Sequence, residues 1–122
     1  MKYKIGIASS DGKVVNLHFG RADVFYIVEA DSGNMTFRYG ESRQTVPVCQ
    51  GQQHDDHKLY ELADRLKDCD YVLVSHIGEG ARAALAKNGT LVFELPGFIE
   101  DSVKRLLSYV EVENCMKLTN PL

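Results

Sequence analysis

A change of hydrophobic period near residue 50 constrains this 122-residue chain more than any other feature. Before it, the chain reads in strand-like runs. "YKIGIAS" alternates and is rich in isoleucine, as a strand requires. "VFYIVEAD" is aromatic and β-branched, a second strand. The turn signal "DSGN", Asp31 to Asn34, links it to "MTFRYGESRQT", which predicts a β-hairpin with a slightly long loop. "DGKVVNLHFGRAD" lies between the first two strands as a loop or a short irregular strand.

Beyond Pro47 and Gly51 the period becomes helical. From His54 to Lys67, Leu59, Leu62, Ala63 and Leu66 fall on one face. Asp55 and Asp56 in the first turn, and Arg65 and Lys67 in the last, suit the helix dipole. "DYVLVSH" is nearly all apolar, as expected of a strand buried on both faces. "EGARAALAKN" is a short helix that Gly89 would end as a C′ residue. "TLVFEL" is a further strand, Pro96 and Gly97 break it, and "FIEDSVKRLLSYV" is a third helix. The dozen residues from about 110 are weakly patterned. The expectation is one α/β domain over residues 1–122. Its five-stranded mixed sheet would carry a hairpin, then two crossovers that place strands in parallel, with three helices on its faces.

Composition removes several classes of function. Hydrophobic residues make up 44% and charged residues 25%, which is ordinary for a globular protein. A formal net charge of −3 argues against a basic nucleic-acid footprint. No apolar run approaches the roughly 20 residues of a membrane span, and the N-terminus reads as a strand rather than a signal peptide. The three cysteines, Cys49, Cys69 and Cys115, are odd in number and widely spaced, which points to a reducing cytoplasm. No Cys-x-x-Cys occurs, so a zinc ribbon and a thioredoxin-type pair are both without their signature.

Three regions could carry chemistry. His76 ends the fourth strand, and Gly78 and Gly80 open the next helix. Ligands of open α/β sheets gather at such strand ends, and a helix start offers free N–H groups to an anion. A tight strand-to-helix turn explains the glycines equally. In "NLHFGRAD", His18 beside Phe19 is either a structural contact or a ligand on a functional loop. "CQGQQHDDH" combines the Cys49 thiol with the His54 and His57 imidazoles, a donor set suited to zinc, copper or iron–sulfur centres. On a helix, His54 and His57 would share a face. The spacing Cys-x4-His-x2-His is not a standard zinc pattern, and a polar helix start with an incidental cysteine accounts for it too. Cys69, at a helix-to-strand junction, reads as a small buried hydrophobe. Asp11, Glu29, Asp55 and Asp56 could form a divalent-metal phosphodiester hydrolase site. Against that, Asp11 looks like a turn residue and no hydrolase or phosphate-loop motif is present.

Together, "HFGRADVFYIVEAD", the stretch from "CQGQQHDDH" through "LVFELPG", and the Asp68–Val74 run resemble the dinitrogenase iron–molybdenum cofactor biosynthesis family. The first matches His-Phe-Gly-x-Ala-x-x-Phe and the last Asp-Cys-x-x-Val-Leu-Val; the likeness runs from about Tyr3 to Tyr109. It implies a ribonuclease-H-like fold. It also implies a non-catalytic carrier that binds an iron–sulfur precursor or the iron–molybdenum cofactor and passes it between cofactor-assembly proteins. By position, His18 matches the family histidine, Cys49 a cysteine of one subgroup and His54 a histidine of that subgroup. His57 and His76 are less typical members of the expected metal set. Arg21 and the helix start at Gly78 would balance the cluster's negative charge. Two chains sharing one cluster would supply more ligands than one. A regulatory or scaffold domain that binds no cluster is the alternative on the same fold.

Overall fold

The computed structural model describes residues 1–50, 53–54 and 56–119, with side chains for 1–48 and 56–116. The first half builds the antiparallel part of the sheet. Strand β1 (Lys2–Ala8) is followed by a two-residue strand β2 (Val14–Val15) and a single 3-10 turn at Phe19–Arg21. Strands β3 (Val24–Asp31) and β4 (Thr36–Gln44) then form the expected hairpin. Its turn holds Met35 at φ 57° and is braced by the Asp31 carboxylate, which accepts from the Gly33 N–H at 2.9 Å. Next come two short paired strands, β5 (Cys49–Gln50) and β6 (Gln53–His54).

The second half supplies the crossovers: helix α1 (Asp56–Arg65), strand β7 (Tyr71–Val74), helix α2 (Glu79–Lys87) and strand β8 (Leu91–Glu94). Strand β9 (Gly97–Phe98) pairs with β2, and helix α3 (Ile99–Thr119) closes the chain. The main sheet runs β4-β3-β1-β7-β8. β3 is antiparallel to both neighbours, whereas β1, β7 and β8 are parallel. This is the five-stranded mixed sheet with three helices that the pattern predicts.

Successive residues of a strand face opposite sides, and both sides of the central strands are covered. Val72 and Val74 pack with Phe25, Leu59, Leu62, Leu66 and Leu85 under α1 and α2. Leu73 between them packs with Ile5, Ile7, Ile99, Val103, Leu106 and Leu107 under α3. Each such fully buried aliphatic side chain contributes roughly 1.5–3 kcal/mol. That is why the strand at the centre of "DYVLVSH", Tyr71–Val74, is apolar along its length.

Three boundaries differ from the sequence reading. Helix α1 begins at Asp56 and not at His54, because His54 is drawn into the β5–β6 pair opposite Cys49. The proposed shared helical face of His54 and His57 is therefore absent. α1 also stops at Arg65, after which Leu66 and Lys67 donate to Ala63 and Asp64 in a tightened final turn. Helix α3 runs to Thr119, well past the expected end near 110. Nothing between Ile99 and Thr119 is Gly or Pro, so local hydrogen bonding continues where the apolar pattern fades. α2 ends as expected: Gly89 has φ 83°, its N–H reaches Ala86 O and the Thr90 N–H reaches Leu85 O, each at 3.0 Å.

Candidate functional site

The carboxyl ends of β1, β7 and β8 lie side by side, and an extended segment crosses the first two of them. Asn16 and Leu17 donate from their N–H groups to Ala8 O at the end of β1, each at 3.3 Å. Ser75 N–H donates to Leu17 O at 3.0 Å, and Phe19 N–H donates to His76 O at 2.9 Å. These bonds form a parallel bridge between His18 and His76. Phe19 is buried and meets Phe25 edge-on, with ring centres 5.9 Å apart. Ile77 is buried in the same core. Each exposed histidine thus precedes a buried anchor, and the two imidazoles are left at the rim with ring centres 5.3 Å apart and planes tilted by 57°.

Glu94, the last residue of β8, completes the cluster. Its Oε2 accepts from the Ile77 N–H at 3.0 Å and lies 3.0 Å from His76 Nδ1. Its Oε1 is 3.8 Å from the Arg82 guanidinium, which also donates to Val92 O. Sequence reasoning missed Glu94 and Arg82. The available signal was a carboxylate closing an apolar strand at the ligand-bearing edge of a parallel sheet.

The other expected residues fall as follows. Arg21 ends the 3-10 turn, exposed, its N–H donating to His18 O at 3.1 Å. Gly78 caps α2 with φ −80° and ψ 161°, and no side chain caps it. An added Cβ at Gly78 or Gly80 would meet nothing within 4 Å. The turn therefore does not need glycine for its backbone, and the helix start is left uncovered. Strand β5 runs beside the Phe19–Arg21 turn, and Cys49 is the register partner of His54. The backbone thus brings both to the neighbourhood of His18; their side chains, and all of Asp55, lie outside the described residues. His57 sits in the first turn of α1 with its side chain 82% exposed, its Nε2 3.0 Å from Glu61 Oε1.

Two carboxylates of the hydrolase alternative, Asp11 and Glu29, are each engaged locally. Asp11 Oδ1 accepts from the Lys13 and Val14 N–H groups at 2.9 and 3.1 Å, and these bonds hold its carboxyl below the usual range. Glu29 is paired with Arg38 on the hairpin. Among the described residues, no three His, Cys, Asp or Glu side chains converge as a metal site. Cys69 is buried against Leu66 and the Gly6 backbone. No helix, among the described residues, is long and apolar enough to cross a membrane.

Fold and rim define an α/β domain that displays a histidine pair where its parallel strands end. Residues 1–109 match the dinitrogenase iron-molybdenum cofactor family, and the chain belongs to that family. It is 30% identical over 113 residues to the FeMo cofactor biosynthesis protein NifB of Chlorobaculum tepidum, covering 93% of this chain and 26% of that protein. It is 34% identical over 105 residues to NifB of Frankia alni, covering 84% of this chain and 20% of that protein. The chain thus spans about a quarter or less of these curated relatives. Two solved structures share the fold. The crystal structure of PH0822 has a TM-score of 0.62 at 24% identity, over 86% of this chain and 90% of that one. A Methanocaldococcus jannaschii protein has a TM-score of 0.55 at 13% identity, over 88% of this chain and 90% of that one.

Proposed function

We propose that this domain binds an iron–sulfur-type metallocluster, the iron–molybdenum cofactor or a precursor of it, and delivers it between cofactor-assembly proteins. The observation that carries the reading is the rim where the His18 and His76 imidazoles meet beside the backbone of the Cys49–His54 pair. One thiolate and two or three imidazoles give a cluster few bonds, which suits a carrier that must let go. Arg21, at the end of the adjoining turn, and the uncovered helix start at Gly78 supply positive potential for an anionic guest. The domain works without catalysis, in the cytoplasm, and two copies facing one another would double the donors on one cluster. The order β4-β3-β1-β7-β8, with β3 alone reversed against the others, supports the ribonuclease-H-like reading of the fold.

Anaerobic reconstitution with iron and sulfide, followed by absorption and paramagnetic spectra, tests this. The wild-type domain takes up a cluster. His18→Ala combined with Cys49→Ala abolishes uptake and keeps the native circular dichroism. Undiminished uptake by the double variant rejects the ligand assignment.

A further inference from the structure

We propose that Glu94 is a positioning residue that fixes which nitrogen of His76 faces a metal. In a neutral imidazole one nitrogen carries the proton and the other bears the lone pair, and a hydrogen bond at one selects the other as ligand. Glu94 Oε2, 3.0 Å from His76 Nδ1, keeps the proton there. Nε2 is then the donor atom. Glu94 is itself held on two further sides, by the Ile77 N–H and by Arg82, so the acceptor cannot swing away with the ring. The partner ring is already in place. Two imidazoles on one tetrahedral metal, with bonds of about 2.0–2.1 Å, have ring centres roughly 5 Å apart, and those of His18 and His76 are 5.3 Å apart. The pair is spaced to grip one first-row metal ion, with His76 entering through Nε2. This deepens the carrier reading and rests on it for its biological meaning, because the metal would be the exposed iron of the cargo.

Glu94 also satisfies a backbone N–H, so a purely structural role must be separated from a positioning one. Two measurements on the whole domain do this, with Co2+ as the probe. At mildly alkaline pH, nitrogen-15 shifts of the imidazoles report the tautomer without any metal. Wild type should show His76 protonated on Nδ1, Glu94→Gln should keep that form through its amide oxygen, and Glu94→Ala should lose it. Visible-region Co2+ titration should show affinity reduced roughly tenfold or more in Glu94→Ala, strongly reduced in His76→Ala, and nearer wild type in Glu94→Gln. A wild-type His76 protonated on Nε2 overturns the proposal even where Glu94→Ala does not fold. So does Co2+ affinity insensitive to His76→Ala, or a folded Glu94→Ala that binds Co2+ as tightly as wild type. Failed cluster reconstitution alongside the expected tautomer and Co2+ results would remove the carrier reading and leave the role of Glu94 standing.

Discussion

Phe19 and Ile77 decide where the two histidines go. Each is buried, and each histidine takes the outward position of the alternation beside its anchor. Truncating Phe19 to Ala removes a fully buried ring that meets Phe25; the expected loss is about 3–5 kcal/mol, read from urea unfolding. His18→Ala, on an exposed ring, should change stability by less than about 0.5 kcal/mol. The sequence showed His18 beside Phe19 but left open whether His18 is a structural contact or a ligand. Packing divides the roles: the phenyl ring is core and the imidazole is rim. Glu94 was not legible as a partner of His76, because their contact depends on the pairing of β7 with β8 and no local motif encodes it. Cys69 was legible. Burial pushes its thiol up to about 12, so the reactive thiolate is scarce near neutrality. Iodoacetamide applied to the native protein should leave Cys69 unmodified while labelling the exposed Cys115, as peptide mass spectrometry would show. Rapid native labelling of Cys69 would contradict its packing.

At the scale of elements, a charged network outside the core joins the edge strand β4 to the α1–β7 junction. Arg43 forks onto both oxygens of Asp68 at 2.7 Å each and also donates to Arg65 O at 2.7 Å. The Arg43 bonds, helped by Lys4, hold the Asp68 carboxyl well below its ordinary value of 3.8. A lowered folded-state pKa gives stability that is present above that ordinary value and is lost as pH falls through the folded-state one. Asp68→Asn should therefore cost about 1 kcal/mol near neutrality, allowing for the half-exposed carboxylate. The gap from wild type should close in strong acid, measured by urea midpoints across pH. Gly89→Ala gives a second check. Nothing crowds a Cβ there, so only the left-handed backbone opposes it, at about 1–2 kcal/mol. Strands and helices with a sustained period were readable to within a few residues. The start of α1 was not, since helix dipole and helical spacing favoured His54 while a β5–β6 pairing claimed it. The continuation of α3 was hidden because its later turns carry no clear apolar stripe, although no helix breaker stops them.

For the molecule as a whole, the mixed five-stranded sheet followed from the chain, a hairpin first and then crossovers that place strands in parallel, whereas the spatial order β4-β3-β1-β7-β8 is seen only in the structure. The β2–β9 pair did not follow from the chain either, because strands of two residues have no period to read. A cluster shared by two chains carries its own stoichiometric prediction. Reconstituted protein should hold one cluster per two chains and sediment at twice the mass of the apo form; one cluster on a monomer would reject sharing. The main-chain bond from the Phe19 N–H to His76 O has a last consequence. It holds the two histidine backbones side by side, so the rings are neighbours before anything binds. On the carrier reading, a metal would meet a pair of rings already assembled at the surface, and loading would ask no strand to move.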